Sequence, residues 1–413
     1  GGGPRATAGS GAGRAAASGP RAGPSDDARR GLLARLRREA RLGAQGAAQV
    51  AVAAAAELKR RGLLGDPRDC TVVLQALGRA ELWPAALGLL EHMGARGLGP
   101  GLFAYNATIT AAERGHQWEM AVALLQRVSE GALAPDIVTF NSTLSALDRG
   151  QQWRRALLLL GSLPERRTEP NVVTYSVVAN ACCSEGWPWA LRLFQAMLQG
   201  RLRPDEIAHN TAIRACDTGQ QWQLALCLLR GMEGRGARPS ARSYNAAASA
   251  LGRASRWRGA LALLSEARGR RLGPDLLAVN LGVEACRRGQ RVHVALELLR
   301  ELPALRLEPD MAILTSAIAA CEPGQQWGHA LALLRQAARL EDGARGTLLF
   351  AYNAFLGVCR GAGQWLLAAQ ALAELRAAGL RPSVPTFIAA TGALANGHHW
   401  QAAAGLLGEF AQA

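Results

Sequence analysis

The four residues "GQQW" stand at 150–153, at 219–222 and again at 324–327, with looser copies "GHQW" at 115–118 and "GHHW" at 397–400. Tryptophan is large and seldom placed without consequence, so the ten in this chain serve as a ruler. They fall at 83, 118, 153, 187, 189, 222, 257, 327, 365 and 400. Trp83, Trp118 and Trp153 are 35 residues apart, as are Trp222 and Trp257, and Trp365 and Trp400. Trp257 and Trp327 are 70 apart, two periods, with Val292 in the skipped place; Trp187 and Trp189 straddle the slot near 188; the step from Trp327 to Trp365 is 38. A fixed period of about 20–50 residues is the mark of a solenoid, in which each unit cannot bury its apolar face until neighbours stack on it.

The stretch 102–136, "LFAYNATITAAERGHQWEMAVALLQRVSEGALAPD", shows the layout of one unit. Apolar residues recur at helical spacing from Phe103 to Arg114; the "GHQW" turn follows with Gly115 as the expected breaker; Trp118 to Ser129 then carries Ala121, Leu124 and Leu125 on one face. Pro135 stops the second helix and Asp136 is suited to open the next. Two antiparallel helices per 35 residues make an αα-hairpin. The expected fold is therefore all-α, a right-handed superhelical solenoid of antiparallel helix pairs, with "GQQW" as the corner between helices and the Trp plugging the junction between hairpins.

Composition agrees. Apolar residues make up 49% of the 413, dominated by the helix formers Ala and Leu, and no run is long and uncharged enough to cross a membrane. The net charge is +15, almost entirely arginine, since Lys59 is the one lysine. Residues 1–66 contribute +7 of it and the rest +8. Such a balance favours polyanions. Of the eight cysteines, Cys182, Cys216, Cys286, Cys321 and Cys359 follow the same phase as the tryptophans, so they are too far apart in sequence for C-x-x-C ligation and read as small packed thiols. None of the seven histidines opens an H-x-E deaminase signature, "ACC" at 181–183 is not C-x-x-C, and Walker A and HExxH are absent. The chain reads as a binding module, not an enzyme, with no metal, cofactor or small-molecule substrate.

Residues 1–31 form an Arg/Gly/Ala-rich segment expected to be disordered. Its arginine and serine content resembles an organelle transit peptide, although Asp26 and Asp27 depart from the acid-poor pattern. Residues 32–66 read as a degenerate helical capping repeat. The array proper occupies 67–413, in units 67–101, 102–136, 137–171, 172–205, 206–240, 241–275, 276–310, 311–348, 349–383 and 384–413.

After each unit boundary from 102 to 349 the chain writes "LFAYN" at 102, "IVTFN" at 137, "VVTYS" at 172, "EIAHN" at 206, "ARSYN" at 241, "LLAVN" at 276, "MAILT" at 311 and "LFAYN" at 349. The fifth residue is always Asn, Ser or Thr, and most units end in Pro plus Asp, Asn or Ser. In this pattern the chain resembles the pentatricopeptide repeat family in its plain, 35-residue form. The resemblance implies a sequence-specific binder of single-stranded RNA acting in the RNA metabolism of a mitochondrion or chloroplast, one base per unit, alone or with protein factors recruited to the transcript. It assigns base recognition to the fifth residue and the unit-final residue together: Asn106 with Asp136, Asn141 with Asn171, Ser176 with Asp205, Asn210 with Ser240, Asn245 with Asp275, Asn280 with Asp310, and Asn353 with Ser383; Thr315 stands alone, because the Leu348 that ends its longer unit is foreign to the pattern. It assigns base sandwiching to Phe103, Val138, Val173, Ile207, Leu277 and Phe350, from which Arg242 and Ala312 depart. An Asn amide offers donors and an acceptor in one plane, which suits a pyrimidine edge; the bland reading is that an Asn near a helix start caps the helix. The family's code implies the order U-C-G-C-U-U, then a weak purine, then a pyrimidine. The rival is a tetratricopeptide-like scaffold binding a peptide, whose W-x₂-L-G-x₂-Y pattern is missing in this phase.

Overall fold

The computed structural model describes residues 66–396 except 132, 167, 271, 274, 306 and 341–344, with scattered positions in 31–60 and 401–406. The expected disordered segment, most of the capping repeat and the "GHHW" turn lie outside the described residues. The chain divides into two compact blocks, 1–150 and 151–413. The first contains α1 (Pro67–Arg79), α2 (Trp83–Ala95), α3 (Leu102–Arg114), α4 (Trp118–Glu130) and α5 (Ile137–Arg149). The second contains α6 (Trp153–Ser162), α7 (Val172–Cys182), α8 (Trp187–Gln199), α9 (Glu206–Thr218), α10 (Trp222–Gly234), α11 (Ala241–Arg253), α12 (Trp257–Gly269), α13 (Leu276–Arg288), α14 (Val292–Glu301), α15 (Met311–Ala320), α16 (Trp327–Arg339), α17 (Arg345–Ala362), α18 (Trp365–Ala377) and α19 (Val384–Asn396). No strand occurs among the described residues. Odd helices open a repeat and even helices close it.

Each block is an all-α repeat solenoid. Within it, every odd helix packs on the next odd helix, on its own even partner and on the even helix before it, as α3 packs on α1, α2, α4 and α5. Small side chains permit that approach: a Cβ on Gly78 of α1 would lie 3.3 Å from the Ala107 carbonyl of α3. The core between layers is Ala, Leu and reduced Cys. Cys182, Cys216, Cys286 and Cys359 are all buried toward the ends of their odd helices, Cys321 is buried just past the end of α15, and Cys227 on α10 is exposed. The fourth residue of each opening also goes inward, as with Phe140, Tyr244, Tyr352 and His209.

The repeated turn works differently from the expectation of a glycine breaker. Gly115, Gly150, Gly219 and Gly289 all have ordinary right-handed φ near −80°. The left-handed residue is the next one: His116, Gln151, Gln220 and Gln290 have φ of 55–56°. The glycine supplies room instead. A Cβ added at Gly115, Gly150, Gly219 or Gly289 would lie well under 3.0 Å from the ring of Trp83, Trp118, Trp187 or Trp257 respectively. Each Trp opens an even helix and lies against the turn of the following repeat, so the expected plug is present, and it is the reason for the glycine. Where Val292 replaces Trp, its Cγ2 lies 2.9 Å from a Cβ placed on Gly324. Arginines use the exposed ring faces: the Arg256 guanidinium lies 5.1 Å from the Trp222 ring centre and Arg291 5.7 Å from Trp257. Part of the arginine excess is thus spent on the turn side.

The irregular unit 311–348 is accommodated at its end. Helix α17 starts at Arg345, four residues before the "LFAYN" at 349, so Leu348 lies inside a helix instead of capping one. No described helix is long and apolar enough to cross a membrane.

Candidate functional site

At the opposite end from the Trp turn, the odd helices α5, α7, α9, α13 and α15 are entered from extended chain through the unit-final residue. Asp136 accepts from the Thr139 N–H at 2.8 Å, Asn171 from Thr174 at 2.9 Å, Asp205 from Ala208 at 2.8 Å and Asp310 from Ile313 at 2.8 Å. Asp275 accepts one residue earlier, from Leu277 at 3.1 Å. The N-cap is therefore the unit-final residue, and the fifth residue, one turn further along, is released from capping. Asn106, Asn245 and Asn353 lie beside the unit-final residue of their own repeat, which caps the next odd helix.

In the first block these residues assemble a site. Asn106 Nδ2 donates to Asp136 Oδ1 at 3.3 Å, and the Thr139 hydroxyl lies 2.6 Å from Asn106 Oδ1 and 2.7 Å from Asp136 Oδ1, sharing one proton between them. Burial raises the Asp136 pKa, but the bonds from the Thr139 hydroxyl and N–H and from Asn106 outweigh it, so the carboxyl is held below its usual range. Asn106 and Asp136 line a cleft of about 390 Å³ together with Phe103, Val138, Arg79 and Arg114. Phe103 is 77% exposed. A polar floor, two apolar side chains free of the core and two cations thus share one opening.

The sandwich positions repeat this exposure. Val138, Val173, Ile207, Leu277 and Phe350 are all more than half exposed, the first four each one residue into an odd helix and Phe350 five residues into α17. Large apolar groups left outside at regular intervals gain nothing for the core, and such patches mark contact surfaces.

The recognition pairs divide. Asn245 Nδ2 donates to Asp275 Oδ2 at 3.2 Å. Asn353 Nδ2 reaches Ser383 Oγ at 3.5 Å, with Thr386 donating to Asn353 Oδ1 at 2.6 Å. Asn210 joins Ser240 through Ser243, whose hydroxyl donates to Asn210 Oδ1 at 2.6 Å. Ser176 is not bonded to Asp205: its hydroxyl is buried without a hydrogen-bond partner, and Asp205 Oδ1 accepts from the Ala208 N–H. Asn280 and Asp310, written with the same letters as Asn106 and Asp136, are not bonded to each other; Asn280 Oδ1 is buried without a partner. Thr315 turns its hydroxyl to its own helix, donating to the Met311 carbonyl at 2.7 Å. Asn141 sits at the fifth place of α5, half buried, and Asn171 caps α7. The participants that motif reading missed are Thr139, Ser243 and Thr386, the third residues of the following helices. Their signal was available, since "T" or "S" stands third in "IVTFN", "ARSYN" and "VPTFI".

Among the described residues no cluster of His, Cys, Asp or Glu could hold a metal ion.

Three stretches match family models: 88–149 the pentatricopeptide repeat domain, 135–184 the PPR repeat family and 242–272 the PPR repeat. No curated protein matches the chain. Among solved structures, the pentatricopeptide repeat protein PPR10 from maize is 18% identical with a TM-score of 0.54, the alignment covering 92% of this chain and 63% of the maize protein's length. That similarity is one of fold. PPR10 in complex with an 18-nt psaJ RNA element aligns at 22% identity and TM-score 0.49 over 87% of this chain and 61% of that one.

Proposed function

The chain belongs to the pentatricopeptide repeat family, and on that premise we propose that it binds single-stranded RNA along the openings of its odd helices. The observation that carries this is the cleft at 102–138. Phe103 and Val138 stand free of the core in the same opening as the bonded Asn106–Asp136 pair, with Arg79 and Arg114 at its wall. A base inserted there meets apolar side chains on its faces and an amide at its edge, while the guanidiniums meet its phosphates. Stacking of this kind tolerates any base, and the amide and its neighbour discriminate. The chain acts as a binding module with no catalytic step of its own.

In the finer reading each repeat takes one base, in the order U-C-G-C-U-U for the repeats of Asn106, Asn141, Ser176, Asn210, Asn245 and Asn280, then a weak purine and a pyrimidine. Its site is a mitochondrion or chloroplast, where the arginine-rich segment 1–31 serves delivery; imaging the tagged full chain outside both organelles would refute that. The outcome of binding is RNA stabilisation, processing, splicing or translation, with protein factors joining on the transcript.

A selection from randomised single-stranded RNA tests the binding itself. The expected product carries the order above, affinity falls as salt rises because phosphate contacts release counterions, and duplex RNA competes poorly because its base edges are hidden. Recovery of a bound peptide with no enriched RNA would point to the rival scaffold function.

A further inference from the structure

Repeats that end in Asp and repeats that end in a neutral residue hold their recognition amide differently. A carboxylate only accepts, so Asp136 and Asp275 attract Nδ2 of Asn106 and Asn245 and fix which way each amide faces. A serine hydroxyl both donates and accepts, and so fixes nothing. Outside the Asp136 repeat the sequence follows that division. The neutral caps Asn171, Ser240 and Ser383 are each followed three residues later by Thr174, Ser243 and Thr386, and the Asp caps 205, 275 and 310 by Ala208, Ala278 and Ile313. Asp136 is followed by Thr139, whose one proton is divided between the carboxylate and Asn106 Oδ1.

The geometry says what the extra hydroxyl does. Ser243 Oγ accepts from the Ser240 N–H at 3.1 Å and lies 2.6 Å from Asn210 Oδ1; Thr386 Oγ1 accepts from the Ser383 N–H at 3.0 Å and lies 2.6 Å from Asn353 Oδ1. A separation of 2.6 Å suits O–H···O and is short for N–H···O. With its lone pair given to the cap, each hydroxyl directs its single proton to the amide oxygen. Both hydroxyls are fully buried. The amide oxygen is thereby turned inward and Nδ2 outward; Asn210 Nδ2 reaches Glu206 Oε1 on the exposed side at 3.3 Å.

We propose that Ser243 and Thr386 are positioning residues that set base choice in the serine-ended repeats, by locking the amides of Asn210 and Asn353 with only their N–H groups facing the RNA. An outward donor meets an acceptor at N3 of cytosine but a second donor at N3 of uracil, so the lock makes these repeats favour cytosine. This rests on the RNA-binding reading above.

The test uses the full chain and two RNAs of the proposed order that differ only by C or U at the base opposite Asn210. The parent is expected to favour C by roughly tenfold, the scale of one edge contact. Ser243→Ala should bring the ratio to about twofold or less, Ser243→Thr should restore it, and the preference opposite Asn245 should not move. Thr386→Val makes the same comparison opposite Asn353 should Ser243→Ala fail to fold. A plain capping residue would lower the melting temperature without changing any base ratio. An unchanged C/U ratio in a Ser243→Ala protein that still selects its other bases overturns the lock and leaves RNA reading intact. A parent with no base preference at any position overturns both.

Discussion

The two ends of one odd helix, about 20 Å apart for 13 residues, are built on opposite terms. At the turn end of α5 the space is full: Gly150 has no side chain because the Trp118 ring occupies that volume. At the opening end of α3 the space is empty, with Phe103 standing 77% exposed beside an open cleft. The turn end joins repeats and gains stability from every contact. The opening end keeps apolar groups outside, where they contribute nothing until a ligand covers them. Stability and binding should therefore separate cleanly along the helix.

The largest effect should come from the turn. Trp118→Ala removes the plug and is expected to cost about 3 kcal/mol in denaturant unfolding, and Gly150→Ala about 1–3 kcal/mol by overpacking. The double variant should be no worse than Trp118→Ala alone, because the added methyl then fills the vacated space; strict additivity would contradict the shared volume. At the opening end, Phe103→Ala should leave stability within about 0.5 kcal/mol while weakening RNA binding by about 1–3 kcal/mol in a filter or fluorescence titration. A variant that loses stability and affinity in proportion would erase the distinction between the ends.

Smaller effects sharpen the comparison within the openings. Asn106→Ala breaks a bonded cluster and should cost about 1 kcal/mol of stability, whereas Asn280→Ala deletes a buried oxygen that has no partner and should cost nothing or stabilise slightly. The smallest effect is pH-dependent. The Asp136 pKa is lowered on folding, so its contribution is present above the ordinary carboxylate range and disappears as pH falls through the depressed folded value. The parent should lose more stability in acid than Asp136→Asn does, modestly, because the carboxylate is largely exposed. Parallel pH profiles would show that the Thr139 and Asn106 bonds do not favour the ionised form.

The helix pairs and their bounds were legible because one bulky residue recurs at a fixed interval: Trp118, Trp153, Trp187, Trp222 and Trp257 each begin an even helix. Asn106 with Asp136 and Asn245 with Asp275 were legible for the same reason, since phase alone brings residues 30 apart to one place. What periodicity hides is why a letter is needed. Gly150 reads as a conformational breaker, yet its backbone is ordinary and the constraint is a ring 32 positions earlier in the chain. Asn280 with Asp310 reads like Asn106 with Asp136, yet the third residue of the next helix is Ile313 in place of Thr139, and the amide oxygen is left unpaired. Two-letter codes cannot register a third participant that belongs, by numbering, to the following repeat.

The phased cysteines give the chain a built-in clock of its own opening. Burial pushes the thiols of Cys216 and Cys359 up to about 12 and those of Cys286 and Cys321 to about 11, so the folded protein presents them neither as thiolates nor to reagent. Cys227 alone is exposed and should react at once with an alkylating agent. Every later thiol to react then marks the moment when its own repeat came apart. Peptide-resolved alkylation over time, with and without RNA, would chart which parts of the array open first and which the ligand holds shut, without a single label being engineered in.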